Sequence, residues 1–471
     1  MFCELSNATW GRFPFTWQTG RITHMQSYPP QLPEPATRTP LSLRKGCVLY
    51  SLFFGASITE AVSVNLIPLT LALFTRDPNI IFWILAINPA LGFIVQPIFG
   101  LISDRIWTKL GRRALFLVCS PPIIAVSLLL IPFIGTLGIM VVVIVFLQFF
   151  QDVINGTDQP LIADLVPPPQ RTTVLGAVKA AENLGIILVL FLGMPLVEWY
   201  REQFGYAHYG LPLYVFAALC QILFVSGAAL FLQEQKRPDS VTNNSRISIR
   251  NYLGDFFAQP MLFRIALAYF FRSFSRSAVT GSIALYTLHT LQLSEREFGI
   301  SWGLMPFISL LAGVPLGLAA ERFAKDRVLQ FAFGILIISC GVGYFGHGVT
   351  GLIIASLIFG IADMLLEVTL KAFMSEHYPA DRTGQLAGAV NCFFAAGRVA
   401  GLLAVGYCVK LMNPQLDWSR ISETAYVDYS VIWMISSFGA VLGMIALSTT
   451  KDLRFELELK NAMSVEQTEN S

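Results

Sequence analysis

Charge is scarce in this sequence. Of its 471 residues, only 13% are Asp, Glu, Lys or Arg, about half the ~25% of an ordinary soluble domain. Histidine is scarcer still: five scattered copies offer no ligand cluster for zinc or haem, and no metal or cofactor is expected. The seven cysteines form no CxxC pair, and all but Cys3 fall in or beside apolar segments. They read as packing residues rather than disulfides or metal ligands. No GxxxxGK[ST] loop occurs, so ATP hydrolysis by this chain is not the energy source. No filter-like sequence suggests a channel. What is abundant is apolar: 54% of residues are hydrophobic and 37 are Phe, with a mean hydropathy of +0.61. One water-soluble core cannot hide that much apolar surface. The composition excludes a soluble enzyme, a disordered chain and a nucleic-acid partner. It leaves a multi-span protein whose surroundings are the lipid bilayer.

A bilayer core about 30 Å thick takes roughly 20 apolar residues per helix. Twelve such segments are predicted, at 47–74, 80–102, 114–134, 138–165, 172–198, 211–232, 262–289, 299–320, 328–347, 350–377, 385–411 and 429–449. The longest internal polar stretch, Gln233–Gln259, follows the sixth. The predicted layout is a disordered cytoplasmic tail (1–45), a six-helix bundle (46–232), a cytoplasmic linker (233–261), a second six-helix bundle (262–449) and a short tail (450–471). With the N-terminus inside, 22 Lys and Arg fall on inner tails and loops and 5 on the outer side (Arg76, Arg201, Arg296, Lys410, Arg420). The positive-inside rule therefore places both termini in the cytoplasm, in a plasma or inner membrane.

The two halves echo each other. Gly100-Leu-Ile-Ser-Asp104-Arg105 recurs as Gly317-Leu-Ala-Ala-Glu321-Arg322, and Asp152, Pro168 and Arg171 recur as Asp363, Pro379 and Arg382. Such duplication is typical of carriers that bind solute between two halves. After the first copy comes Lys109-Leu-Gly111-Arg112-Arg113. Arginines here suit an anionic inner membrane face.

This Gly100–Arg113 motif resembles the loop between helices two and three of the major facilitator superfamily. Its spacing is similar to that of plant sucrose–proton symporters and of glycoside–pentoside–hexuronide cation symporters. The fourth segment adds Asp152-Val-Ile-Asn155-Gly-Thr-Asp158-Gln159-Pro160-Leu-Ile-Ala163-Asp164-Leu165, which resembles the sucrose-symporter Asp-Val-x-Asn…Gln-Pro…Ala-Asp-Leu pattern. The resemblance implies an all-α fold of two pseudo-symmetric bundles. It also implies that Asp152 accepts the coupling proton and that Asn155 and Gln159 lie beside the solute path. One position departs: the family's Arg between the Pro and the Ala-Asp-Leu run is absent.

Independently, charge at the bilayer centre costs roughly 3 kcal/mol or more and marks function. Six acids (Glu60, Asp152, Asp158, Glu182, Asp363, Glu367) and five bases (Lys179, Arg272, Arg276, Lys371, Arg398) lie mid-span. They occupy spans one, four, five, seven, ten and eleven; spans three, six, nine and twelve have none. Asp363, Glu367 and Lys371 share a helix face at i, i+4, i+8, as do Lys179 and Glu182 at i, i+3. One surplus acid in low dielectric favours a proton.

The expectation is a monomeric secondary carrier for a small polar solute, a sugar above all, coupled to H+ or else to Na+. Paired Arg272 and Arg276 leave an organic anion or hexuronide as an alternative. Efflux and a non-transporting sensor remain further alternatives. Coupling is assigned to Asp152, Glu60, Asp158 and Glu182. Solute binding is assigned to Asn155, Gln159, Arg272, Arg276, Asp363, Glu367, Lys371 and Arg398. A cytoplasmic gate is assigned to Gly100, Asp104, Arg105, Gly111, Arg112, Arg113, Arg171, Glu321, Arg322 and Arg382. Glu60 is expected either to couple or to pair with a base of span seven. Tyr50, Phe54, Trp83, Tyr269, Phe271, Tyr286 and Trp302 are candidate stacking surfaces. No nucleophile–base pair suggests an enzyme.

Overall fold

Apolar stretches of bilayer length satisfy their backbone groups internally only as helices, and that is how this chain folds. The computed structural model describes residues 41–108, 111, 113–167, 170–232, 260–320, 322–376, 383–418, 426–448 and 450. The long tails, most of the linker, Arg112, Glu321 and Arg382 therefore lie outside the described residues. So do the side chains of Asp104, Arg105 and Gln159. All described residues fall in one unit, Pro40–Ser471.

Twelve helical rods are seen. In the first half they are α1 (Leu43–Ala72), α2 (Pro78–Arg105), α3 (Ala114–Leu130), α4 (Leu137–Leu165), α5 (Arg171–Leu188, continuing to Phe204) and α6 (Leu211–Phe231). In the second half they are α7 (Pro260–Thr280, continuing past Gly281 to Thr290), α8 (Glu295–Ala320), α9 (Lys325–Phe345), α10 (Gly348–Glu376), α11 (Thr383–Met412) and α12 (Val431–Leu447). Ten are long and apolar enough to cross a bilayer. The two that fall short have plain reasons. α12 has 17 residues, and α7 carries Arg264, Arg272, Arg276 and several serines.

The main surprise is α5. It runs to Phe204 rather than ending near residue 198, so Glu198 and Arg201 ride on its last turns. A π segment at Val189–Gly193 lies between its two α-helical parts. Prolines interrupt α2 (Pro89, Pro97), α4 (Pro160) and α8 (Pro306, Pro315), each removing a backbone donor and bending its helix.

The connections alternate between two ends. The Asp77 end gathers 73–77, 205–210, 291–294, 413–418 and 426–430. The Arg113 end gathers 106–108, 111, 113, 166–167 and 170. The halves meet closely where α8 crosses α5: a Cβ on Gly299 would collide with the Leu190 carbonyl oxygen. Only glycine permits that approach.

Candidate functional site

Eight helices surround a central cavity of about 1060 Å³. Its lining comes from α1, α2, α4, α5, α7, α8, α10 and α11. None comes from α3, α6, α9 or α12, which carry no mid-membrane charge; α2 and α8 carry none either, and line the cavity all the same. Every helix that carries mid-membrane charge thus contributes to the cavity wall. The site is built from charges that the sequence could afford to bury only in company.

The second-half wall is a network. Arg272 is 1% exposed. Its NH2 group donates to Asp363 Oδ1 at 2.6 Å and to Glu367 Oε2 at 3.0 Å. Arg276 Nε donates to Asp363 Oδ2 at 2.9 Å, and Lys371 Nζ to Glu367 Oε1 at 2.7 Å. The stripe at i, i+4, i+8 therefore serves α7 as well as itself. Two arginines one turn apart are tolerated because Asp363 sits between them. Arg272, assigned above to solute, is instead a buried counterion behind the wall; its Cζ lies 6.0 Å from the Tyr269 ring centroid. Arg276, Asp363, Glu367 and Lys371 do line the cavity.

The first-half wall differs in kind. It presents Asn65, Asn88, Gln148 and Asn183 beside the Lys179–Glu182 pair, which closes at 3.0 Å. Asn88 donates to Gln148 Oε1 at 2.6 Å. Glu60, expected either to couple or to pair with a base of α7, has its ion-pair partner on α11: Arg398 Nη2 lies 3.9 Å from its Oε1, bridging the halves.

Asp152 is set back from the cavity lining and is 2% exposed. Its Oδ1 accepts from Gln96 Nε2 of α2 at 2.8 Å, while its Oδ2 is buried with no hydrogen-bond partner. The helices are pressed together here. A Cβ on Gly156 would come within 2.7 Å of the Gln96 carbonyl oxygen, and one on Gly92 within 3.0 Å of Asp152 Oδ1. Glu60 and Arg398 are the charges that act on Asp152. Gln96 escaped the sequence reading because it is neutral, and only the α2–α4 crossing brings it to Asp152. Asn155 and Asp158 do not line the cavity; Asp158 is buried, and Asn155 is half-buried.

The aromatic expectations mostly fail. Trp302 lines the cavity and so does Phe394, which was not anticipated. Trp83 is 65% exposed, which places it on the outer surface of the bundle. Tyr269 stacks on Phe394, and Tyr286 packs edge-on against Trp433. Tyr50, Phe54 and Phe271 are absent from the lining.

The Asp77 end is bridged across the halves. Lys410 Nζ lies 2.7 Å from Asp77 Oδ2, while Asp77 Oδ1 caps α2 through Asn79 N. Arg201 Nε donates to Glu295 Oε1 at 2.9 Å, and Arg296 N donates to Glu198 Oε2 at 2.7 Å. Arg76 NH1 lies 2.9 Å from His289 Nδ1. The Tyr209 hydroxyl also donates to Glu295. Burial and that carboxylate push the Tyr209 phenol well above its usual range, so it stays a donor. Of the basic residues counted above for orientation, Arg76, Arg201 and Lys410 thus fasten this end through their side chains and Arg296 through its backbone N–H, while Arg420 lies outside the described residues.

At the Arg113 end no cross-half ion pair forms between described residues. Gly111, at φ 122°, closes a tight turn with Thr108, and Gly100 faces the Gly156 carbonyl. Arg113 is buried at the start of α3, Arg171 donates to the Val166 carbonyl, and Arg322 is exposed. The expected gate pairs of Asp104, Arg105, Arg112, Glu321 and Arg382 lie outside the described side chains.

Comparison with known proteins agrees with this architecture. A family model described as Major Facilitator Superfamily matches residues 49–402. Among solved structures, a mutant of the nucleoside transporter NupG aligns with TM-score 0.69 at 12% identity, covering 86% of this chain and all of that one. A bacterial homologue of the human lysosomal transporter Spinster, in an inward-facing and occupied conformation, aligns with TM-score 0.61 at 14% identity. That match covers 86% of this chain and 94% of the other. No curated protein sequence matches.

Proposed function

The chain belongs to the Major Facilitator Superfamily, a transporter rather than an enzyme, and we propose that it carries a small polyhydroxylated solute by proton-coupled symport. The observation that carries the coupling is Asp152. It is a carboxyl group at membrane depth with one oxygen held by an amide and the other buried without a partner. An anion so placed leaves part of its charge uncompensated, at a cost of several kcal/mol. A proton on Oδ2 removes that charge. The neighbouring Glu60–Arg398 contact spans the halves, so the protonation state of Asp152 acts on the contact that must change when the halves rock. A ligand shifts that rocking only by binding the two states differently.

The Arg- and Lys-rich Arg113 end faces the cytoplasm in this reading, as the positive-inside rule requires. The fastened Asp77 end then closes the outer side. The amide-lined wall suits hydroxyl groups of a sugar-like solute. The low identity to NupG supports only the shared fold, so its nucleoside cargo does not pass to this chain.

The test is uptake into proteoliposomes with a panel of sugars, with and without a pH gradient. Asp152→Asn is expected to abolish concentrative uptake and keep solute exchange. Normal accumulation by Asp152→Asn would remove Asp152 from the coupling role.

A further inference from the structure

The solute of this cavity carries a negative charge, we infer, held by the wall of α7 and α10 while its hydroxyl-bearing body meets the amides of the first half. The inference deepens the carrier reading and rests on the same cavity. Three cations, Arg272, Arg276 and Lys371, hold two carboxylates, Asp363 and Glu367, so this wall retains one positive charge. No other described side chain pairs with it.

The exposure of each partner decides what a solute meets. Arg276 is 36% exposed against 9% for Asp363, and Lys371 58% against 24% for Glu367. On the opposite wall Lys179 is 55% exposed against 23% for Glu182. In these three pairs the carboxylate is withdrawn and the cation reaches past it; the cross-half pair runs the other way, with Glu60 35% exposed against 29% for Arg398.

Hydrogen-bond capacity points the same way. Asp363 has both oxygens engaged by arginine, and Glu367 has one engaged by Arg272 and the other by Lys371. Arg276 spends only Nε on Asp363, and Lys371 spends one of three ammonium donors. The wall therefore offers donors and few acceptors. A neutral polyol would need acceptors for its own hydroxyl protons. A carboxylate needs only donors, and it cancels the surplus charge inside a low-dielectric cleft, where such a field is strongest. A volume of about 1060 Å³ leaves ample room for a sugar acid.

The experiment is calorimetric titration of the full-length protein in nanodiscs with matched pairs: glucuronate against glucose, and gluconate against sorbitol. It is followed by uptake of the binding members into proteoliposomes. Each acid is expected to bind at least about tenfold more tightly than its neutral partner, the scale of one charge-assisted contact. Lys371→Gln and Arg276→Gln should each weaken the acid about tenfold more than they weaken its neutral partner. Equal or tighter binding of the neutral members, or no binding by either acid, overturns the inference. The two readings fail separately. Acids bound and carried without regard to the pH gradient would sink proton coupling and keep the charge inference. A neutral sugar accumulated by the pH gradient and untouched by acids would do the reverse.

Discussion

Asp152 and Asp363 stand at matching places on α4 and α10, 211 residues apart in a duplicated plan, yet their surroundings are opposite. Asp363 is clamped, one oxygen to Arg272 and the other to Arg276. Asp152 has only neutral hydrogen-bonding neighbours, Gln96 on Oδ1 with Asn155 beside it, and no ion pair among the described residues. Duplication supplies two carboxylates; the neighbours decide their work. The clamped one has its charge balanced on the spot and organises a wall of cations. The other has no such balance and can gain or lose a proton at modest cost. In the proposed cycle one half holds the coupling group, and the other holds the group that binds the solute's charge.

That contrast can be broken in graded ways. The largest effect belongs to Asp152→Asn: accumulation lost, exchange kept, and thermal stability unchanged or raised, since a neutral amide replaces a group that is costly as an anion. Asp363→Asn should behave in the opposite manner. It deprives a buried arginine of its main counterion, which costs on the order of 3 kcal/mol. A clear fall in melting temperature of the purified protein is the check. If both variants melt alike, the two aspartates are not in different electrostatic classes.

A smaller effect is expected from Gln96→Leu. Its amide N–H donates to Oδ1 and so favours the charged carboxylate. Losing a bond worth about 1–1.5 kcal/mol should move the pH midpoint of uptake alkaline by roughly one unit, because the proton is then held to higher pH. An unmoved or acid-shifted profile would show that Gln96 does not position the proton site. The mildest change is Glu295→Gln at the Asp77 end. Losing the Arg201 pair should cost about 1 kcal/mol and release that closure in part. Thiol reagents added from outside should then label an Asn88→Cys reporter in the cavity several-fold faster. Unchanged labelling would mean that the Arg201–Glu295 contact does not hold the outer side shut.

Much of the fold was legible because a bilayer turns hydropathy directly into helices. The twelve spans, the six charged helices that all reach the cavity, and the Asp363–Glu367–Lys371 stripe follow from local composition and a 3.6-residue period; that uncharged α2 and α8 also line it does not. What was not legible depends on how helices cross. Arg272 and Arg276 read as a matched pair in the sequence, but their turn of offset sends one behind the wall and the other into the cavity. Gln96 carries no charge to flag it. Glu198, Arg201 and Glu295 looked like loop or end residues, because the continuation of α5 through its π segment was invisible to hydropathy. Trp83 and Trp302 are equally aromatic, and only the bundle's geometry faces one outward and the other to the cavity.

The most direct test of the central claim asks which aspartate exchanges the proton. Infrared difference spectroscopy across a pH jump detects the C=O stretch of a protonated carboxyl group. The account predicts such a band in the wild-type protein, its loss in Asp152→Asn and its persistence in Asp363→Asn. A band that survives unchanged in Asp152→Asn would contradict it.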